Sequence, residues 1–312
     1  MDPIVSVLIL TYNHKKFINQ AIQSVLTQST NFPFEILIGD DCSTDGTCEI
    51  VNSYLEKYPD LIKAIRTDEN IGALLNEKQL VKAARGKYIS FLEGDDFWTQ
   101  PLKLQKQVDF LENNEEYGMV HGDVNHFFEF SGKTIKQINK KMNFEVPEGF
   151  IFDKLLCLEP FFIKTATTCF RKDLIDIYFD YDLVIEKKWP LSDLALWMDI
   201  SFHSKVHYMD EVFATYRLLN ESSSRTKDVD LKLKYYEKLL DLKFHYVDKY
   251  HRDEKLKTEF RKQYFRNLLP MSRKIKDKEK LKELKKYFSE NPNRLNRKEN
   301  ILLYLLKIRT FS

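Results

Sequence analysis

The chain has 312 residues, of which 43% are hydrophobic and 13% aromatic, and these proportions exclude a disordered or low-complexity protein. Its four cysteines, at positions 42, 48, 157 and 169, show neither a disulfide framework nor zinc-type spacing. The N-terminus has no basic segment before its apolar run, so we expect no signal peptide, and no apolar stretch has the length of a membrane-spanning helix. We therefore expect a globular, cytoplasmic protein with reduced thiols.

The formal net charge of +2 hides two parts of opposite sign. Residues 1–226 carry 24 Lys and Arg against 34 Asp and Glu, whereas residues 227–312 carry 25 against 13. This change follows the turn-like segment 220–224 and predicts a domain boundary near residue 226.

The first part of the chain alternates between apolar runs and segments with helical spacing. Apolar runs rich in branched and aromatic residues predict strands at 4–10, 34–39, 61–66 and 87–92, and helical spacing predicts helices at 15–28, 48–58 and 74–84. This alternation is typical of an α/β fold with a mainly parallel central sheet flanked by helices.

Two of the predicted strands end in acidic turns. Asp40 and Asp41 follow the second strand, and Glu93-Gly94-Asp95-Asp96 follows the strand at 87–92. Ligands of parallel sheets bind beyond the carboxyl ends of strands, and carboxylate oxygens suit Mg²⁺ or Mn²⁺. Turn formation alone also explains an acidic pair such as Asp40 and Asp41, and helix capping explains Asp45.

The sequence contains neither of two common phosphate-binding motifs. GxGxxG and GxxxxGK[ST] are both absent, which disfavours a Rossmann dehydrogenase and a P-loop kinase. Phosphate would then be held through a metal ion.

Five motifs in residues 4–98 occur in a fixed order, at 5–13, 38–46, 70–72, 84–89 and 93–96. In order and spacing they resemble family 2 glycosyltransferases of the GT-A fold. The resemblance implies a nucleotide-sugar donor, usually UDP-linked, a bound Mn²⁺ or Mg²⁺, and inversion at the anomeric carbon.

The resemblance also implies roles for individual residues. Asp41, in preference to Asp40, would bind the uracil, and Asp95 would face the ribose or the diphosphate. The family's carboxylate triplet usually begins with Asp, whereas this chain has Glu93. The implied nucleotide-binding residues are Thr11, Tyr12, Asp40, Asp41 and Asp95, and the implied metal ligands are Asp96 and Asp95.

Residues 99–226 form the predicted acceptor half. We expect a helix at 101–113, strands at 119–124 and 165–170, and a hairpin or loop at 126–150. His121 and Asp123 fall on one face of the first of these strands. A catalytic pair and polar residues at a sheet edge both explain them, and we favour the sheet edge.

Ser192 and Asp193 precede a predicted helix with an apolar face. Helix capping explains such a pair, but the segment also resembles the family's second signature, an acidic residue followed by a helix that bears Leu-Trp. The resemblance implies that Asp193 is the general base. A sugar hydroxyl is a poor nucleophile, and a carboxylate within hydrogen-bond reach can take its proton.

The segment 212–217 resembles the family's closing strand with its Tyr-Arg. Many members carry a His two residues after this Arg, whereas Leu218, Leu219 and Asn220 follow Arg217 here. Either Asn220 substitutes for the His, or the metal relies on Asp96 and phosphate.

Residues 227–312 predict basic helices, divided by Pro270 and Pro292, and end in an apolar segment at 300–309 that suits an interfacial helix. Peripheral association with an anionic membrane and packing on the acidic domain explain this charge equally well. The first makes the inner face of the cell membrane a candidate location. No nucleic-acid-binding signature accompanies the charge, so nucleic acid is not an expected partner.

The sequence as a whole predicts a GT-A catalytic domain at 1–226, with a nucleotide-binding half at 1–98 and an acceptor half at 99–226, and a basic helical extension at 227–312. We expect an inverting transferase that moves a sugar from a UDP-sugar to a hydroxyl of a glycan or lipid-linked acceptor in surface polysaccharide assembly. The alternatives are a sugar nucleotidyltransferase and a catalytically silent protein that binds sugar nucleotides.

Overall fold

The computed structural model describes residues 2–157, 162–219 and 228–291. The chain divides into two compact units, one of Met1–Glu186 with Ser192–Asn220 and the other of Lys187–Leu191 with Glu221–Ser312. The boundary predicted near residue 226, the role predicted for Asn220 and the interfacial helix predicted at 300–309 fall outside the described residues.

The first unit is built on a mixed β-sheet. Its strands are β1 (Val5–Thr11), β2 (Phe34–Asp40), β3 (Ile62–Arg66), β4 (Tyr88–Glu93), β5 (Phe97–Trp98), β6 (Tyr117–Phe128), β7 (Lys133–Ile135), β8 (Cys169–Arg171) and β9 (Lys205–Leu218). Their order across the sheet is β3-β2-β1-β4-β8-β6-β9-β5, and β7 pairs with β6. Strands β1 to β4 run parallel, β8 is antiparallel to β4 and β6, and β6 pairs with β9 in parallel.

Helices flank this sheet and make up the described part of the second unit. They are α1 (Ile18–Leu26), α2 (Thr47–Lys57), α3 (Ala73–Ala83), α4 (Lys103–Asn113), α5 (Ile138–Lys141), α6 (Phe152–Cys157), α7 (Lys172–Tyr178), α8 (Tyr181–Lys187), α9 (Ser192–His203), α10 (Val229–Lys249), α11 (Lys255–Leu268) and α12 (Lys278–Glu290). The strand–helix alternation predicted for residues 4–92 is confirmed.

The parallel strands form the core because their side chains are apolar on both faces. In β1, Val5, Val7, Leu8 and Ile9 are all fully buried, as expected for a strand covered by helices on both sides. The pairing register then sets the strand ends level, since Thr11 lies opposite Asp40 and Leu10 lies opposite Glu93. The two acidic turns therefore begin at the same edge of the sheet.

The strand predicted at 165–170 is only partly formed. Residues Thr165–Thr167 make a 3₁₀ turn, and the strand starts at Cys169. Side chains bind the carbonyl groups that a strand would pair: Trp98 Nε1 donates to the Ala166 carbonyl at 2.8 Å, and Gln107 Nε2 donates to the Thr167 carbonyl at 2.8 Å. These bonds come from residues about sixty to seventy positions earlier in the chain, which local patterning does not register.

The sheet-edge explanation of His121 and Asp123 is wrong. Strand β6 lies between β8 and β9, and both side chains are buried. Asp123 Oδ1 accepts a hydrogen bond from Asn139 N at 3.0 Å, so this carboxylate holds the start of α5. Burial lowers the pKa of His121 to about 3, and the neutral ring packs near Phe162.

The described part of the second unit is helical, as predicted. A core of apolar residues from α10, α11 and α12 includes Leu233, Phe265 and Leu284. Asp228 caps α10 by accepting hydrogen bonds from the first-turn amides. Among the described residues, no helix combines the length and the apolar character that crossing a membrane requires.

Candidate active site

The loops that follow β1 and β2 are joined by side-chain hydrogen bonds. Asn13 N donates to Ser43 Oγ at 2.8 Å, Asn13 Oδ1 accepts from Thr44 N at 2.8 Å, and Lys15 N donates to Asp45 Oδ2 at 2.9 Å. Asp45 Oδ1 also accepts from Thr47 N at 3.0 Å, at the first residue of α2, so Asp45 has a local role at the helix start although Gly46 occupies the N-cap position.

The carboxylates of Asp40 and Asp41 both bind backbone amides. Asp40 Oδ1 accepts from Ser43 N at 3.1 Å. Asp41 Oδ1 accepts from Ile71 N at 2.7 Å, and its Oδ2 accepts from Gly72 N at 2.9 Å. Asp41 thus fixes the Asn70-Ile71-Gly72 motif beside the end of β2, and its orientation is set before any ligand binds.

Thr11 and Tyr12 lie at the end of β1 with different exposure. Thr11 is 2% exposed and Tyr12 is 44% exposed. The Thr11 hydroxyl oxygen is buried without a hydrogen-bond partner, as is His14 Nδ1. A buried polar atom without a partner is costly, so such atoms mark places where a ligand supplies the missing bond.

Gly94 brings the acidic turn against these two atoms. A Cβ added at Gly94 would lie 2.8 Å from Thr11 Oγ1 and 2.8 Å from His14 Nδ1. Only a residue without a side chain allows this approach, so the packing requires glycine at position 94 within the acidic turn.

Asp96 has one oxygen bound and one without a partner. Its Oδ1 accepts from Arg217 N at 2.7 Å, while its buried Oδ2 has no hydrogen bond. Burial raises the pKa of Asp96 well above its ordinary value, and the nearby carboxylates of Glu93 and Asp95 raise it further. A cation bound at Oδ2 would lower the pKa of Asp96 again, because its positive charge favours the ionised carboxylate.

Arg217 of β9 holds the acidic turn in place. Its Nε donates to the Asp95 carbonyl at 2.8 Å, its Nη1 donates to Glu129 Oε2 at 2.5 Å, and its Nη2 donates to Gln20 Oε1 at 2.8 Å. The guanidinium carbon also lies 4.6 Å from the centroid of the Phe17 ring. The Tyr-Arg signature of β9 therefore fixes the backbone around Asp95 and Asp96.

The carboxylate predicted to be the base belongs to the same acidic cluster. Asp193 stands in the first turn of α9, where its Oδ1 accepts from Leu194 N at 2.8 Å and its Oδ2 accepts from Thr165 Oγ1 at 3.4 Å. Burial raises the pKa of Glu93 to about 8, and the charges of Asp95, Asp193 and Glu77 add to this increase. Asp95, Asp96 and Asp193, which were predicted separately, thus all interact electrostatically with Glu93.

Two members of this cluster carry no recognisable sequence signal. Glu77 of α3 accepts a hydrogen bond from Tyr181 OH at 2.8 Å, and burial raises the pKa of Glu77 to about 7. Lys164 precedes the 3₁₀ turn, and the charges of Asp193, Asp96 and Glu93 all act on it. Each lies in an ordinary helical or irregular segment, so only the tertiary fold identifies them.

The residues present fit a divalent cation that shares its coordination with a ligand. Among the described residues, no group of three or more His, Cys, Asp and Glu could hold a metal ion by itself. Asp96 Oδ2 and Glu93 Oε2 are buried carboxylate oxygens without partners. Hard oxygen donors of this kind suit Mg²⁺ or Mn²⁺, which keep further positions for phosphate and water.

The sequence comparisons identify the family. Residues 6–178 match the model of the family described as glycosyl transferase family 2. The chain is 30% identical over 235 residues to the putative teichuronic acid biosynthesis glycosyltransferase TuaG of Bacillus subtilis, a match that covers 72% of this chain and 83% of TuaG. The chain belongs to glycosyltransferase family 2.

Another relative matches over a shorter length. An uncharacterized protein of Mycobacterium bovis is 40% identical over 128 residues, which is 41% of this chain and 37% of that protein. The matched region therefore spans little more than a third of that relative.

A solved structure shows the same fold. The crystal structure of Staphylococcus aureus TarS 1–349 in complex with UDP-GlcNAc superposes with a TM-score of 0.64 at 19% identity, over 97% of this chain and 87% of that chain. The predicted GT-A fold is confirmed.

Proposed function

We propose that the protein is an inverting glycosyltransferase that moves a sugar from a nucleotide-sugar, with UDP as the expected nucleotide, to a hydroxyl of a glycan or lipid-linked acceptor. One observation supports the proposal most directly: the charge of Asp193 from α9 acts on Glu93 in the acidic turn after β4, and Asp96 of the same turn keeps an unpartnered oxygen. A base for the acceptor and an anchor for the donor's counter-ion are thus close together.

The nucleotide is proposed to bind beyond the ends of β1 and β2. Thr11 and Tyr12 would form one wall, with the Thr11 hydroxyl free to bond a ligand. Asp41, oriented by Ile71 N and Gly72 N, would accept from the uracil, with Asp40 beside it. Asp95 would face the ribose or diphosphate. The UDP-GlcNAc complex of TarS supports a UDP-linked donor.

Asp193 is proposed to act as the general base. Leu194 N and Thr165 Oγ1 orient its carboxylate, which takes the proton of the acceptor hydroxyl as that oxygen attacks the anomeric carbon. The bond to the diphosphate oxygen breaks on the opposite face, so the configuration inverts and no covalent enzyme intermediate forms. The acceptor proton ends on Asp193.

Asp96 and Asp95 are the proposed metal ligands. Arg217 N fixes Asp96 Oδ1 and leaves Oδ2 for the ion. When bound there, Mn²⁺ or Mg²⁺ would offset the negative charge of the departing diphosphate.

A role in surface polysaccharide assembly completes the proposal. TuaG is named for teichuronic acid biosynthesis, which supports such an acceptor. The basic residues of 227–312 would favour an anionic membrane surface, where a lipid-linked acceptor resides.

Nucleotide release from a panel of UDP- and GDP-sugars with Mn²⁺ tests the proposal. Wild type would be compared with Asp193→Asn and with Asp60→Asn, a matched control at an exposed position before β3. We expect metal-dependent release from one donor, and loss of acceptor-dependent transfer only in Asp193→Asn, with UDP binding retained.

Other outcomes of this experiment would favour one of the alternative functions. Nucleotide binding without turnover for any donor and acceptor favours the silent alternative, and synthesis of a nucleotide-sugar from a sugar phosphate favours the nucleotidyltransferase. Failure to bind any nucleotide overturns the proposed function.

A further inference from the structure

The 3₁₀ turn Thr165–Thr167 is held rigidly from one side. Besides the bonds from Trp98 and Gln107, Lys103 Nζ donates to the Thr168 carbonyl at 3.1 Å and to Ser90 Oγ at 2.7 Å. Lys103 is fully buried, and its Nζ lies 4.1 Å from the centroid of the Trp98 ring. Burying a lysine without a carboxylate partner is unfavourable unless its ammonium group is satisfied by other contacts. Here the Thr168 carbonyl, Ser90 Oγ and the Trp98 ring supply those contacts, so they also fix the position of the turn.

This turn presents side chains to the acidic cluster. Thr165 reaches Asp193, as described above, and Lys164 directly precedes the turn. Lys164 Nζ lies 6.0 Å from the centroid of the Tyr216 ring, and the next residue, Arg217, binds Asp96. Lys164 is therefore near enough to the proposed base, Asp193, and to the proposed metal ligand, Asp96, for both charges to act on its ammonium group.

The ammonium group of Lys164 lacks an ion-pair partner within the described residues. Burial lowers the pKa of Lys164, and the charges of Asp193, Asp96 and Glu93 offset this only in part. Yet none of these carboxylates, nor any other in the described ranges, comes within the 4.0 Å of an ion pair with Lys164. A largely desolvated ammonium that contacts none of the nearby carboxylates is placed for an anion from outside the chain.

We propose that Lys164 binds the diphosphate of the donor and stabilises it as it leaves. This inference rests on the proposed function, which supplies the diphosphate. Lysine binds phosphate as a point charge, and a cation held in advance near the developing charge lowers the barrier without reorganisation. When the bond between the anomeric carbon and the diphosphate oxygen breaks, its electron pair stays on that oxygen, next to Lys164. Lys164 keeps its proton throughout, because Asp193 accepts the acceptor's proton.

Calorimetric titration of the full chain with UDP and with UMP, each with Mn²⁺, tests this contact without requiring the acceptor. Lys164→Ala would be compared with Lys164→Arg, which keeps a cation, and with Lys63→Ala, which removes the same charge from an exposed position at the start of β3. Thermal unfolding of each variant would show that it is folded.

We expect Lys164→Ala to weaken UDP binding by about 10- to 100-fold, the range of a charge-assisted hydrogen bond, and UMP binding by much less. Lys164→Arg would recover part of the loss, and Lys63→Ala would match wild type. Equal UDP affinity in wild type and in folded Lys164→Ala overturns the inference, as does an equal loss for UDP and UMP. A shift in the pH profile of transfer without a change in UDP affinity also overturns it, and would assign Lys164 to the base Asp193 instead.

Failure of the inference differs from failure of the proposed function. If wild type itself binds neither UDP nor GDP with Mn²⁺, the proposed function fails. If wild type binds and Lys164→Ala binds equally well, only the contact between Lys164 and the diphosphate is lost.

Discussion

The acidic turns that follow β2 and β4 lie at the same edge of the sheet, and they differ in what their carboxylates already bind. Asp40 accepts a hydrogen bond from an amide of its own loop, and Asp41 accepts two from amides of the loop between β3 and α3. Asp96 binds one amide and leaves its second oxygen without a partner. Both turns are aspartate pairs in sequence, but the carboxylates of the first are already bound to backbone amides, whereas Asp96 in the second keeps one oxygen without a protein partner.

This difference predicts that neutralising the carboxylates of the two turns changes the stability of the fold in opposite directions. A carboxylate that satisfies backbone amides stabilises the fold, and its loss leaves partly buried amides unpaired. A buried carboxylate with an unpartnered oxygen and a raised pKa destabilises the fold unless a ligand is present, which is common at functional sites.

The largest effect is expected for Asp96→Asn. The substitution keeps an oxygen for Arg217 N but removes the charge, so metal-dependent donor turnover should fall by about 10³-fold. In the absence of metal at pH 8, its Tm should rise, because no buried charge needs a counter-ion. Nucleotide release and thermal unfolding would check both parts. A lower Tm, or turnover within tenfold of wild type, would contradict the comparison.

Arg217→Met removes the side chain that fixes the second turn. It deletes the bonds to the Asp95 carbonyl, Glu129 and Gln20, and we expect the free energy of unfolding to fall by about 3–5 kcal/mol. Urea denaturation measures this loss. Arg217→Lys keeps a cation without the planar set of donors and should recover only part of it. If Arg217→Lys restored the full free energy of unfolding, the positive charge alone would be sufficient to stabilise the acidic turn.

Asp41→Asn tests the first turn. An amide side chain offers one acceptor oxygen in place of two, so one of the Ile71 and Gly72 amides loses its partner. We expect the free energy of unfolding to fall by about 1–3 kcal/mol, with faster hydrogen exchange at these two amides. Asp40→Asn is the matched control, since within the described residues the Asp40 carboxylate accepts only from Ser43 N, and the Asn side-chain oxygen can replace it. An equal loss of free energy of unfolding in Asp41→Asn and Asp40→Asn would show that the two carboxylates do not differ in their structural role.

Glu77→Gln gives the smallest expected effect and depends on pH. The folded-state pKa of Glu77 is raised from 4.5 to about 7, so the folded protein holds the proton more tightly than the unfolded chain. Stability linked to this group is therefore present at low pH and is lost as pH rises from about 4.5 to 7. Gln keeps the acceptor for Tyr181, and the variant should exceed the Tm of wild type by about 2–4 °C at pH 8 and match it near pH 4.5. A Tm difference that stays constant across this range would contradict the assignment.

Local patterning was sufficient for the nucleotide-binding half of the fold. The strands β1 to β4 and the helices between them follow from apolar runs and helical spacing, because each element buries residues close together in sequence. Local patterning failed at Thr165–Thr167, where hydrogen bonds from distant side chains determine the backbone conformation. It also failed at His121, whose burial depends on the order of strands in the sheet.

The candidate site shows the same limit. Asp96 and Asp193 were found because they stand in recognisable motifs. Lys164 and Glu77 have no local signal, and the partners of Arg217 come from Gln20, Asp95 and Glu129, which only the completed sheet brings together.

The contacts of Arg217 have a consequence for synthesis of the protein. Arg217 lies 197 residues after Gln20, 122 after Asp95 and 88 after Glu129. A growing chain that has already folded β1 to β4 still lacks the residue that sets the geometry of the acidic turn. Because such distant contacts form slowly, the site should be completed last, after β9 has left the ribosome and joined the sheet.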